Sequence, residues 1–186
     1  IAILCERINK CMYQNTSAKE AVEIALYEKK KKKYDAPLYK LLGGYRSKIM
    51  TDITISVNDE GDMVKDSLEA IKRGFSILKV KVGKNPHSDV NSILAIRKAV
   101  GPDVVLRVDA NQGWTPKEAV KIIGQLEDRG ADMELVEQPV HYSDISGMQY
   151  VTNQTYTNIL ADESVFSPKQ AIEVIEKRAA DLINIK

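Results

Sequence analysis

Between about Ile49 and Lys186, short strand-like runs alternate with amphipathic helical runs six times, and few folds accommodate that order. Met50 to Val57 alternates as a strand, with Asp52, Thr54 and Ser56 on one side and Ile53, Ile55 and Val57 on the other. A helix from about Asp62 to Arg73 is closed by Gly74. Ser76 to Gly83, reading S-I-L-K-V-K-V-G, is the second strand, with Lys79 and Lys81 on one face and Leu78, Val80 and Val82 on the other. A helix from about Ser88 to Val100 ends at Gly101, and Val104 to Asn111 is the third strand. Thr115-Pro-Lys-Glu118 opens the next helix as a capping box with proline at the first helical position, and Gly130 stops it. Met133 to Glu137 is the fourth strand, followed by a weaker helix around Asp144 to Val151. Asn158 to Asp162 is the fifth, Ser167-Pro-Lys-Gln170 caps the helix after it, and Leu182 to Lys186 is the sixth.

This repetition predicts an α/β protein with a parallel sheet. A doubly wound sheet and a closed barrel both satisfy it. The sequence has neither G-x-G-x-x-G nor G-x-x-x-x-G-K-[ST], which favours the barrel. Residues 1–48 read as a helical lead-in. Ser17-Ala-Lys-Glu20 is a capping box there, followed by an apolar stripe of Ala21, Ile24, Ala25 and Leu26. The run Lys29 to Lys33 reads as a solvated helix end, where cations complement the helix dipole. Ala36 to Gly44 is a short helical turn stopped by two glycines.

A net charge of +1 gives no reason to expect nucleic acid or an anionic membrane as partner. No apolar run approaches the ~18 residues that a membrane span needs, and no signal-peptide pattern opens the chain. Cys5 and Cys11 form neither a C-x-x-C motif nor a disulfide ladder, so a reducing cytoplasm is the expected location. The chain begins with Ile and ends at Lys186, from which a fragment or an incomplete record is expected.

The strand ends carry the chemistry. Lys81, Asp109, Glu137, Asp162 and Lys186 are separated by roughly 28, 28, 25 and 24 residues, about one βα unit each. Equivalent points of successive units lie on one ring, and in a parallel barrel that ring is the C-terminal face where active sites sit. Taken singly, an Asp or Glu ending a strand is more often a cap or a surface group, and the lysines of an edge strand more often lie in water. The ordered recurrence of all five argues against that. Asp109, Glu137 and Asp162 are hard oxygen ligands suited to one Mg²⁺, and no Cys/His cluster suits zinc. Lys81 and Lys186 flank the acids from opposite sides. One metal between two opposed amines fits removal of a proton from carbon beside a carboxylate and its return on either face. For Lys81 to serve as base its pKa must be depressed, and Lys79 and Mg²⁺ are the nearby positive charges.

The phrases K-V-K (79–81), V-D-A-N (108–111), V-E-Q-P (136–139), A-D-E-S (161–164) and I-N-I-K (183–186) resemble the enolase superfamily, in its muconate-lactonising-enzyme subgroup. The longer phrases R-V-D-A-N-Q-G-W-T-P-K-E-A-V, E-L-V-E-Q-P-V, A-D-E-S-V-F-S-P and A-A-D-L-I-N-I-K are most similar to dipeptide epimerases of the L-Ala-D/L-Glu type. The resemblance runs from about Ser17 to Lys186. It implies a (β/α) TIM-type barrel of the modified enolase kind, residues 49–186 supplying its first six βα units. Residues 1–48 would be the helical end of an N-terminal α+β capping domain.

It implies a Mg²⁺-dependent isomerase acting on Ala-Glu-like dipeptides through a metal-stabilised enediolate. Asp109, Glu137 and Asp162 would bind the metal, and Lys81 and Lys186 would be the acid/base pair. Thr54 and Lys79 would contact substrate. Asn111, Glu163 and Asn184 would be supporting polar groups, although Glu163 has the opposite strand parity to Asp162. Trp114 would lie in the loop near the site mouth or simply pack that loop. Alternatives are a cycloisomerase, an o-succinylbenzoate synthase or an N-acylamino-acid racemase of the same subgroup, or an inactive barrel fragment. The family's capping loops and its later strands, the last with an Asp-x-Asp pair, are not in this sequence. Six strands made alone would leave open edges, so poor solubility, inactivity or recruitment of a partner is expected, and a homo-oligomer is possible.

Overall fold

Strand order decides between the two architectures left open by the sequence. The structure is a computed structural model that describes residues 1–185 and, of His87, the backbone alone. The chain divides into two compact units, Ile1–Met50 and Thr51–Lys186.

In the first unit α1 (Ala2–Cys11), α2 (Thr16–Tyr34) and the single turn α3 (Leu38–Leu41) follow one another. Asn9 Nδ2 donates to Glu23 Oε1 at 3.1 Å and Lys19 Nζ to the Asn9 carbonyl at 3.0 Å, tying α1 to α2. The capping box expected at Ser17 does not form. The chain enters α2 through two left-handed residues, Gln14 and Asn15, so the helix starts before Ser17 and no side chain caps it. No residue of α2 is buried, and Ile24 of the expected apolar stripe is 55% exposed.

The second unit runs β1 (Ile53–Ile55), α4 (Glu60–Lys72), β2 (Ile77–Lys81), α5 (Pro86–Val100), β3 (Val105–Asp109), α6 (Pro116–Asp128), β4 (Met133–Glu137), α7 (Ile145–Gln154), β5 (Asn158–Ala161), α8 (Pro168–Glu176) and β6 (Leu182–Ile183). The six strands are all parallel and lie in the order β1-β2-β3-β4-β5-β6. A doubly wound sheet reverses direction at a switch point. Here every crossover steps the same way, and right-handed crossovers of one direction put all the helices on one face. The other face is the concave interior of a (β/α) barrel.

The helix-covered face holds the core. Leu78 and Val80 of β2, Leu106 and Val108 of β3, Val136 of β4 and Ile159 of β5 are all at 0% exposure. Each such burial contributes about 1.5–3 kcal/mol. Ile93 and Ile96 of α5, Ile123 and Leu126 of α6 and Met148 of α7 meet them from the helices. The Thr115 capping box forms as expected, its hydroxyl accepting from Glu118 N while Glu118 accepts from Thr115 N. Ser167 caps α8, its hydroxyl accepting from Gln170 N, while Gln170 Oε1 accepts from Phe166 N. The lower ends of the strands are fastened by Arg97 of α5. Its guanidinium donates to the carbonyls of Ala131 at 2.8 Å, Gly101 at 2.6 Å, Val104 at 2.7 Å and Asp132 at 2.9 Å.

The two outer strands, β1 and β6, pair over only a few of the residues expected of them. β1 pairs on one side with β2, over Ile53 to Ile55 only, so the polar flanks of Met50–Val57 have no ladder to join. β6 pairs with β5 at Leu182 and Ile183, and the Asn184 N–H continues to the Ala161 carbonyl at 2.9 Å. Lys186, the expected second acid/base residue, lies outside the described residues. Among the described residues no helix is long and apolar enough to cross a membrane.

Candidate active site

The concave face alternates out of register with the core. Lys79 and Lys81 of β2 pair in register with Arg107 and Asp109 of β3, and Asp109 pairs with Glu137 of β4. Glu137 pairs with Leu160 of β5, which puts Asp162 two residues on, towards the C-terminal end. Thr54 of β1 is exposed and registers with Lys79. Paired residues of neighbouring strands share a face. Thr54, Lys79, Lys81, Asp109 and Glu137 therefore line one surface.

Three of these carboxylates are buried, Asp109 at 3%, Glu137 at 6% and Asp162 at 8% exposure. Burial pushes the Glu137 carboxyl above its ordinary range; a hydrogen bond from Lys79 opposes this, and the negative charges of Asp109 and Asp162 add to it. The nearest positive charge is Lys79. Its Nζ lies 2.6 Å from Glu137 Oε2 and 3.1 Å from Asp109 Oδ2. Burial pulls the Lys79 ammonium down, but the bonds to Glu137 and Asp109 outweigh it and hold its pKa above that of an ordinary lysine. The sequence did not indicate this pairing, which puts Lys79 on two of the expected metal ligands.

Lys81 is oriented differently. Its Nζ donates to Asn111 Oδ1 at 2.6 Å and stands 3.6 Å from Asp109 Oδ2. Asn111 N donates to Asp109 Oδ1 at 3.0 Å, and Asn111 Nδ2 donates to Glu163 Oε1 at 2.9 Å. Glu163 reaches Asn111 despite its sequence parity because β5 ends at Ala161, and alternation no longer governs the residues beyond it. Its other oxygen, Oε2, is buried with no hydrogen-bond partner. Asn184 Nδ2 donates to Asp162 Oδ1 at 3.2 Å. Every expected site residue within 1–185 is thus on the upper concave face or at its rim.

The loops above β2 and β3 are fixed to each other. Asp89 of α5, 4% exposed, accepts on Oδ2 from Gly83 N at 3.0 Å and from Trp114 Nε1 at 3.1 Å. Trp114 is 3% exposed and packs the loop instead of standing at the mouth. Below the site, Arg107 Nη1 donates to Asp52 Oδ2 at 3.0 Å and its Nε to Glu134. Gln138, present in the V-E-Q-P phrase but not singled out as a site residue, is wholly buried beside Glu137.

Asp109, Glu137 and Asp162 fit a divalent ion by their chemistry, as buried hard-oxygen donors on three neighbouring strand ends that feel each other's charge. As the side chains stand, no three acids, histidines or cysteines among the described residues are gathered closely enough to hold one. The Lys79 ammonium lies between two of them.

A parallel sheet wound in one direction, with acids and lysines on the C-terminal ends of its strands, defines a barrel-type β/α protein with its polar groups in the barrel's usual active-site position. Residues 62–186 match the family described as Enolase C-terminal domain-like, and the chain belongs to that family. It is 54% identical over 180 residues to the L-Ala-D/L-Glu epimerase of Clostridium acetobutylicum, covering 97% of this chain and 50% of that protein. The structure superposes on a substrate-liganded complex of the L-Ala-D/L-Glu epimerase from Bacillus subtilis with a TM-score of 0.95 and 51% identity, over 99% of this chain and 52% of the other. It also superposes on the dipeptide epimerase of Enterococcus faecalis complexed with Mg and the dipeptide L-Leu-L-Tyr. There the TM-score is 0.85 and the identity 48%, over 89% of this chain and 46% of the other. The chain spans about half the length of the curated relatives it matches.

Proposed function

We propose that this chain supplies the principal catalytic residues of a Mg²⁺-dependent dipeptide epimerase acting on Ala-Glu-like substrates. One observation carries the reading: Lys81, Asp109 and Glu137 occupy registered positions on β2, β3 and β4, with Asp162 just beyond β5. Asp109, Glu137 and Asp162 are the residues that would hold Mg²⁺. Bound there, the ion would offset negative charge on the substrate carboxylate.

Lys81 Nζ, held by Asn111 Oδ1, takes the α-proton of the substrate as the C–H electron pair moves towards the carboxylate. Lys186 Nζ, as an ammonium, returns a proton to the opposite face of that carbon. This restores the neutral carbon in inverted configuration and leaves the two lysines with exchanged protonation. Asn111, oriented by Glu163, fixes the approach of Lys81, and Asn184 steadies Asp162. Thr54 and Lys79 contact the substrate from the first two strands. Lys79 has to share its two carboxylates with an incoming cation, and its flexible stem allows it to turn towards an anionic substrate.

We assign residues 1–48 to the helical end of a capping domain and 49–186 to six βα units of the barrel. Two free cysteines and the lack of a long apolar helix among the described residues are compatible with a cytoplasmic enzyme working on a small molecule, as monomer or homo-oligomer. The test is α-proton exchange of L-Ala-L-Glu in deuterated water with Mg²⁺, followed by NMR with the protein at its full natural length. Exchange and epimerisation that Lys81→Ala and Lys186→Ala each abolish are the expected result. Turnover of only a lactone or a cyclohexadiene acid, or full activity in both lysine variants, refutes the proposal.

A further inference from the structure

We infer that Gln138 is a positioning residue that sets the spacing of the three carboxylates, an inference that rests on the magnesium site proposed above. Gln138 follows Glu137 at the end of β4, at 0% exposure and with φ +39°. A buried primary amide on a left-handed backbone is unfavourable unless its hydrogen bonds are made. Here they are. Oε1 accepts from Asp162 N at 3.0 Å and from Ser164 N at 3.1 Å, while Nε2 donates to the Val140 carbonyl at 3.0 Å and to Ser164 Oγ at 2.9 Å. The backbone completes the set, with Gln138 N donating to the Leu160 carbonyl at 2.9 Å and Gln112 N donating to the Gln138 carbonyl at 2.8 Å.

Each of these bonds ends on a segment that carries an acid. Gln112 belongs to the loop after Asp109, Glu137 is the preceding residue, and the Asp162 N–H is held directly. Ser164 Oγ passes the connection to the Tyr142 carbonyl at 2.9 Å. No other residue described above is bonded to all three strand ends. The position demands an acceptor and a donor at a fixed reach. Met offers neither, and Glu offers the acceptor alone. Losing Oε1 takes away the acceptor shared by the Asp162 and Ser164 N–H groups. The Asp162 carboxylate, still bonded to Asn184, is then placed less firmly relative to Asp109 and Glu137. Partners that orient metal ligands in this way are typically worth 10–100-fold in metal affinity.

The experiment uses Mn²⁺ alone as probe, titrated calorimetrically into the protein at its full natural length, with melting of the metal-free protein in parallel. Gln138→Met removes every side-chain bond at similar volume. Gln138→Glu keeps the oxygen that receives the Asp162 and Ser164 amides and loses the donor. Both variants should melt earlier than the unsubstituted protein. Gln138→Met should bind Mn²⁺ about 10–100-fold more weakly, and Gln138→Glu should stay within about threefold. A merely structural part would instead make affinity follow stability. Folded Gln138→Met that binds within twofold, or equal weakening in both variants, overturns the inference. Should Gln138→Met not fold, Gln138→Asn keeps the amide but shortens its reach by one methylene, withdrawing Oε1 from the Asp162 and Ser164 amides; weakening of about 10-fold or more supports the clamp and unchanged affinity overturns it. Absence of binding by the unsubstituted protein refutes the metal site and the inference together, whereas equal binding by all forms refutes the inference alone.

Discussion

Replacing Gly83 with alanine tests whether the upper ends of β2 and β3 are as closely joined as they must be for Lys81 to meet Asn111. Gly83 lies two residues beyond Lys81 with φ +98°, and a Cβ there would stand 2.2 Å from the Ala110 carbonyl oxygen and 3.3 Å from Gly113 Cα. The contact is reciprocal, since a Cβ on Gly113 would stand 2.3 Å from the Gly83 carbonyl oxygen. Both obstacles are backbone, so no side chain can swing aside. Ala110 sits between Asp109 and Asn111 in the sequence. Whatever pushes it away moves both.

An alanine at 83 has to carry the left-handed backbone, at roughly 1 kcal/mol. It must also open the contact by roughly 1 Å to reach ordinary van der Waals distance, a distortion worth about 1–3 kcal/mol. Together these predict a loss of about 2–4 kcal/mol in urea-unfolding free energy, read from the midpoint at constant slope. The same displacement stretches the 2.6 Å bond from Lys81 Nζ to Asn111 Oδ1. A misplacement of that size near reacting atoms lowers turnover by about 10²-fold. Gly61→Ala is the control. It lies in the first turn of α4 with nothing within 4 Å of its added Cβ. It should be neutral or gain up to about 1 kcal/mol. A Gly83→Ala protein that loses less than about 0.5 kcal/mol and keeps its α-proton exchange rate refutes the reasoning.

Lys79→Met leaves Glu137 without its cation and Asp109 with Lys81 alone, at 3.6 Å, so the metal-free protein should lose about 1–3 kcal/mol. The gain in melting temperature on adding Mn²⁺ should be larger than in the unsubstituted protein; an equal gain contradicts the placement of Lys79 on those two acids. Arg97→Met orphans four backbone carbonyls at the lower strand ends and should destabilise by about 2–4 kcal/mol in the same urea assay, with no separate effect on substrate KM. Burial raises the Asp89 carboxyl above its ordinary 3.8, against hydrogen bonds from Trp114, Gly83 and Asn85 that favour the charge. Because the folded form then holds its proton more tightly than the unfolded chain, its contribution falls as pH rises from 3.8 to the raised value and is constant above it. Unfolding free energies of the unsubstituted protein and Asp89→Asn, measured from acid towards neutral pH, should therefore diverge in favour of the variant across that window; a constant difference refutes the assignment.

The parallel β/α architecture was legible because its signals are local. The alternation of Leu78, Val80 and Val82 against Lys79 and Lys81, the capping box at Thr115, the cap at Ser167, and the glycines closing helices each act within a few residues. The box at Ser17 failed as a guide for the same reason. Its residue types are right, but the backbone at Gln14 and Asn15 had already turned left-handed, and nothing in the four letters records that. Glu163, expected as a supporting group, has the wrong strand parity for the site, and its carboxylate meets Asn111 because β5 stops at Ala161. Strand ends depend on pairing, and pairing is tertiary. The part of Gln138 was hidden for the same reason, because its bonds reach Asp162 and Ser164, residues remote in sequence.

The spacing of the acids conceals one further dependence. Leu106 pairs with Met133, yet Arg107 pairs with Leu135, so Glu134 is the extra residue of a bulge. Had the first register simply continued, Asp109 would oppose Val136, and Glu137 would point among the helices, since a one-residue slip exchanges the faces of a strand. The bulge restores Glu137 to the concave side, and Glu134 is held there by the Arg107 guanidinium, which also binds Asp52 ahead of β1. The interval between Asp109 and Glu137 therefore does not by itself place two carboxylates together. It does so only because an ion pair lower in the barrel holds the bulge that turns the second of them inward.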